Sequence, residues 1–149
     1  MLTATQAAAL KAAIQGDATV AAFVTEQDWP SVAANYNAPT ATPIWKQIVP
    51  AQDIIAAILP ADFIALTTGG QLAMVAMLSG GFVDATKPNI DSWFGTLFAG
   101  KATTLANLTA VAQRPATKLE ALAAFLSASV SSVYGIILTA SDVQAAMGA

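Results

Sequence analysis

Two stretches of the chain share one layout, a run of strand formers followed by a helix start: IWKQIVPAQDIIAAI at 44–58 and VYGIILTASDVQAAM at 133–147. In the first, Ile44, Trp45, Lys46, Gln47, Ile48 and Val49 combine aromatic and β-branched residues, Pro50 closes the run, and Asp53 falls in the first turn of the next helix. In the second, Val133, Tyr134, Gly135, Ile136, Ile137 and Leu138 make the run, Thr139 takes the place of Pro50, and Ser141-Asp142 occupy the early turn. An isolated strand leaves backbone groups unpaired. Pairing 44–49 with 133–138 is the economical solution, with one face of the ribbon, including Ile48 and Ile137, buried.

The rest of the chain reads as helices separated by glycine and proline. Thr3 with Gln6 forms a capping box ahead of Leu10, Ala13 and Ile14, and Gly16 ends that helix. Asp17 is placed to cap a short second helix, and Asp28 a third that begins at Trp29-Pro30 and ends at Asn37. The segment 37–43 reads as a loop. Helices follow at about 51–58, 61–66 and 71–78, with Gly69-Gly70 and Gly80-Gly81 as helix stops. Pro88 opens a helix carrying Ile90, Trp93, Phe94 and Leu97 on one face, and Gly100 stops it. Two more helices, around Leu105–Val111 and Leu119–Phe125, are separated by Arg114-Pro115. The expected fold is mainly α, about seven short helices with a two-stranded β ribbon, in a single domain over 1–149 with helices 3–36 at its periphery.

Composition bears on function through what it lacks and what it leaves exposed. The chain has no cysteine and no histidine, which removes thiolate nucleophiles, the Ser-His-Asp triad and the commonest metal ligands. Its nine carboxylates are spread singly and fall mostly where helix starts want an acceptor. No glycine pair has the spacing of a phosphate loop. No catalytic residue, cofactor or metal is expected. Six scattered basic residues and a net charge of −3 leave no basic stripe for nucleic acid. Only 10% of residues are charged and 56% are hydrophobic, well short of the roughly 25% charged of ordinary soluble domains. A surface so poor in charge suits contact with protein or lipid. Residues 121–140 carry no charge over a span long enough to cross a bilayer, but Ser127, Ser129, Ser131, Ser132 and Gly135 dilute them. A holin-like membrane lysis protein is therefore the alternative from another class, and membrane contact is disfavoured.

The run VDATKPNIDSWFGTLFAGKATTLANLTAVAQRPATKLEALAAF, residues 83–125, resembles a family of small structural proteins of tailed bacteriophages and prophages. Arg114-Pro115-Ala116-Thr117 followed by Glu120 matches its RPAT element and acidic position. With IWKQIVPAQDIIAAI and the terminal LTASDVQAAM, the resemblance covers roughly 40–149. It implies a virion protein assembled in the bacterial cytoplasm. Its size and helical build are similar to head-to-tail connector, or neck, subunits that form a ring under the portal. The implied partners are copies of itself and portal and tail proteins, with Trp93, Phe94, Arg114 and Glu120 as candidate interface residues. A capsid decoration or tail-completion role is the alternative within the same class.

Overall fold

The structure, a computed structural model, describes residues 2–125 and 135–148. It is mainly helical with small two-stranded antiparallel pairings, as expected from the sequence. Among the described residues there are ten helices, more than the seven expected, and the middle of the chain is divided at much the places read from the sequence.

Residues 1–42 with 115–149 form one compact unit, and 43–114 form a second inserted into it. Unit 1 contains α1 (Ala4–Gly16), α2 (Ala21–Thr25), α3 (Trp29–Asn37), α9 (Lys118–Phe125) and α10 (Ala140–Met147). Helix α10 packs on α1 and α3, and α3 also meets α2 and α9. The helices expected at the periphery supply much of the core here: Leu10, Ile14, Val20, Val32 and Tyr36 are buried with Leu119, Leu138 and Val143. The Thr3–Gln6 capping box is present, Asp28 accepts from Ser31 N–H at 3.2 Å, and Thr139 with Asp142 forms a second capping box. Asp17 does not cap α2, whose N-cap is Val20; it is the C-cap of α1, its N–H donating to Ile14 O. It follows α1, and one carboxylate oxygen accepts from both the N–H and the hydroxyl of Thr19, a local turn that competes with helix capping.

Unit 2 contains α4 (Ala51–Ala57), α5 (Pro60–Ile64), α6 (Thr68–Leu78), α7 (Pro88–Leu97) and α8 (Ala102–Ala112), with β2 (Val49–Pro50) paired antiparallel to β3 (Phe82–Val83). Its core gathers Val49, Ile54, Met74, Val83, Phe98 and Leu108. Gly69-Gly70 stops no helix. Both lie in the first turn of α6, where Thr67 Oγ1 accepts from Gly70 N–H at 3.1 Å, and a Cβ on Gly70 would stand 3.3 Å from Leu97. Gly81 and Gly100 do end helical segments, at φ of +80° and +78°, a region that favours glycine.

The expected ribbon has different strands. β1 (Pro39–Trp45) begins in the segment read as a loop and pairs with β4 (Gln113–Thr117), not with 135–138, the described part of the expected partner. The bonds Lys118 N–H to Ala38 O and Lys46 N–H to Ala112 O, both at 2.8–2.9 Å, show the antiparallel sense. Three prolines fit because both members of a two-stranded ribbon are edges. Val133 and Tyr134 lie outside the described residues, while 136–139 belong to no strand. Ile48 and Ile137 are 65% and 77% exposed, so neither belongs to a buried ribbon face.

Candidate functional site

Four side chains converge on Lys118 in unit 1. Its ammonium pairs with Asp17, donates to Asn35 Oδ1 at 2.7 Å and Thr19 Oγ1 at 3.2 Å, and stands 4.9 Å from the centre of the Tyr36 ring. Tyr36 donates its hydroxyl to Asp17 at 3.2 Å. Burial pushes the Asp17 carboxyl up, but Lys118 and the Thr19 donors outweigh it and leave the pKa at about 2. Burial and the neighbouring Asp17 charge push the Tyr36 phenol well above its ordinary value. The cluster spans α3, the start of α9 and the turn after α1, and its charges face one another. Such an arrangement fastens elements together and offers no spare acid or base to a substrate.

Glu120 is fully buried, so within its own unit it is an internal tie and not a surface contact. Thr117 N–H donates to Glu120 Oε2 at 2.8 Å while Glu120 N–H donates to Thr117 Oγ1 at 3.2 Å, a reciprocal cap on α9. The other carboxylate oxygen accepts from Gly135 N–H at 2.9 Å. Arg114, in β4, is half-buried. Trp93 and Phe94 lie in unit 2, half-buried against its core and edge to face at 5.2 Å. Of the four candidate interface residues, Trp93, Phe94 and Arg114 thus lie in unit 2 and Glu120 in unit 1.

The surface feature that does gather residues is apolar. Among the described residues, eight large hydrophobic side chains are exposed, and seven of them fall between 48 and 82: Ile48, Ile55, Leu59, Ile64, Leu72, Val75 and Phe82. Ile55 and Val75 stand at a groove of about 480 Å³ formed by α4, α5 and α6, with Ile58, Phe63 and Leu78 along it and buried Met74 beneath. Helical spacing puts Leu72 on the same face of α6 as Val75 and Ser79. Ser79, the polar residue of the lining, donates its hydroxyl to Ala76 O at 2.7 Å.

Polar contacts from outside the groove hold its walls. Thr104 of α8 accepts from Leu59 N–H at 3.3 Å and donates to Asp62 at 2.6 Å, and Asn107 donates to Ala57 O at 3.1 Å, fixing the corner between α4 and α5. The Thr104 hydroxyl holds the Asp62 carboxyl below its usual range, helped by Lys101 at 3.3 Å. Gln71 of α6 donates to Phe63 O at 3.1 Å and joins the opposite wall. A smaller apolar cavity of about 70 Å³ lies in the same unit among Trp45, Ile54, Phe94, Leu105 and Leu108.

Among the described residues, no group of three or more acidic side chains could hold a metal ion, and no helix is long and apolar enough to cross a membrane. Part of the charge-free window 121–140 lies outside the described residues. Comparison with protein-family models, curated proteins and solved structures finds no match to this chain.

Proposed function

We propose that the chain is a non-enzymatic structural subunit that acts by associating with copies of itself and with neighbouring proteins, as a head-to-tail connector of a tailed-phage particle. The observation that carries the association is the set of seven exposed isoleucine, leucine, valine and phenylalanine side chains between 48 and 82, two of which, Ile55 and Val75, line a groove whose walls are pinned by Thr104, Asn107 and Gln71. Exposed apolar surface of this kind is what protein contacts cover. The polar clusters support the same reading. Asp17, Lys118 and Glu120 spend their hydrogen-bonding capacity on neighbours in the fold. The phage setting and the connector position rest on the resemblance of residues 83–125 and the RPAT element.

Quantitative mass spectrometry of particles purified from a host that encodes the chain tests the placement. A copy number close to that of the portal protein is expected. A copy number close to that of the major capsid protein would replace the connector with a decoration role, and absence from the particle would overturn both.

A further inference from the structure

We infer that the groove on α4, α5 and α6 receives the Ile137 segment of a second copy, a head-to-tail contact that rests on the reading of the chain as a self-associating subunit. The eighth exposed large hydrophobic residue, and the one in unit 1, is Ile137, the most exposed of the set. It is presented on a fixed backbone. Glu120 accepts from Gly135 N–H, where the chain turns at φ +70°. Two residues further on, the Asn37 amide grips Leu138 on both sides: its Oδ1 accepts from Leu138 N–H at 2.8 Å, and its Nδ2 donates to Leu138 O at 2.9 Å. Leu138 is buried while its neighbour Ile137 is exposed, so the held backbone turns Ile137 outward. An apolar side chain already held in place loses little further freedom on docking.

Groove and segment match in chemistry. The groove lining carries no charge, and the hydroxyl of Ser79 is turned to its own helix. Residues 135–139, Gly-Ile-Ile-Leu-Thr, carry no charge either. Neither surface holds an ionic group that would be stripped of water and left unpaired by the contact. Because protruding residue and groove are different parts of the chain, the contact is heterologous. It leaves one free groove and one free Ile137 on every pair, and it propagates to a ring if the rotation closes and to an open chain if it does not.

The test is sedimentation velocity over a concentration series on the full chain, Ile137→Asp, Val75→Asp, and an equimolar mixture of the two variants. Both positions are exposed, and thermal melts followed by circular dichroism establish that each variant folds. Ile137→Ser and Ile55→Asp form a second pair should either of the first fail to fold. Each variant alone is expected to lose about tenfold or more in association constant, from the transfer free energy of one apolar side chain. The mixture is expected to recover a one-to-one pair and nothing larger, since only one of its two possible contacts is intact. Three results overturn the inference: either variant associating like the unmodified chain, as a face-to-face contact between grooves would require of Ile137→Asp, a mixture that stays monomeric, or a mixture that grows beyond a pair. Association of the unmodified chain alongside any of these leaves the self-associating reading standing. An unmodified chain that stays monomeric throughout the series overturns that reading as well.

Discussion

Replacing Glu120 by Gln keeps the size of a fully buried side chain and exchanges one of its two acceptor oxygens for an NH₂ donor. In the native arrangement Oε2 accepts from Thr117 N–H at 2.8 Å and Oε1 from Gly135 N–H at 2.9 Å. A glutamine presents one oxygen and one NH₂. Whichever way the amide turns, one backbone N–H faces another donor. A buried donor left without an acceptor costs about 1–3 kcal/mol, so Glu120→Gln is expected to destabilise the chain by about that much. For a chain of this size, that corresponds to a fall in Tm of roughly 3–10 °C. Glu120→Ala loses both acceptors and the α9 cap, and is expected to cost about 2–5 kcal/mol in all. Urea denaturation followed by far-UV circular dichroism reads the change as a lower midpoint. The sequence expectation of Glu120 at an interface makes the opposite forecast: stability unchanged and association weakened. A Glu120→Gln variant within about 0.5 kcal/mol of the parent would refute the assignment of Glu120 as an internal tie.

Three further outcomes follow from the same geometry. Asp17 is held at about 2, below its ordinary 3.8, so its contribution is present above pH 4 and is lost as pH falls toward 2; acid titration should remove about 1–2 kcal/mol, with solvent screening at partly exposed Lys118 allowed for, and Asp17→Asn should flatten that dependence. An unchanged acid limb in Asp17→Asn would contradict it. Ile48→Asp should fold with stability within about 0.5 kcal/mol of the parent, because its side chain is exposed and no buried ribbon face contains it; failure to fold would restore the ribbon expected from sequence. Residues 43–114 expressed alone should give a helical chain that unfolds cooperatively, since that unit has its own core and its ends are joined by Lys46 N–H to Ala112 O and Lys46 Nζ to Val111 O; a spectrum without helix would contradict the independence of the unit.

Local chemistry made some of the fold legible in the sequence and left other parts hidden. The Thr3–Gln6 box, the Asp28 cap and the stop at Gly100 depend on residues three or four apart, and each appears in the structure where those residues place it. The ribbon failed for a long-range reason. Val133–Leu138 has strand-forming residues, but Asn37 takes both backbone groups of Leu138 with a side chain and does the work of a pairing strand. The partner that β1 does have, Gln-Arg-Pro-Ala-Thr, carries no apolar alternation and a proline, and reads as a break between helices. Pro115 itself held a signal, because the residue before a proline favours extended backbone. Gly69-Gly70 misled because a glycine pair is ambiguous between a stop and a close packing contact, and the nearness of Leu97 decides it.

Low charge pointed to an interaction surface without locating it. Trp93 and Phe94 stood out by size, yet large aromatics at helical spacing pack inward, and these lie half-buried on their own core. The exposed face is built from Ile55, Leu72 and Val75, residues that sit in the sequence among equally apolar neighbours such as Ile54 and Met74 that turn inward. A helix that is apolar all round does not announce which side is covered by its own fold. The Lys118 cluster was hidden for the same kind of reason, since Asp17 and Lys118 are 101 residues apart.

Sedimentation equilibrium of the unmodified chain across a wide range of concentration tests the central claim, association through exposed apolar surface, most directly. A weight-average mass rising with concentration above the 15.1 kDa of one chain, and returning toward it in Val75→Asp, is the result the account predicts. A mass fixed at 15.1 kDa at every concentration would contradict it.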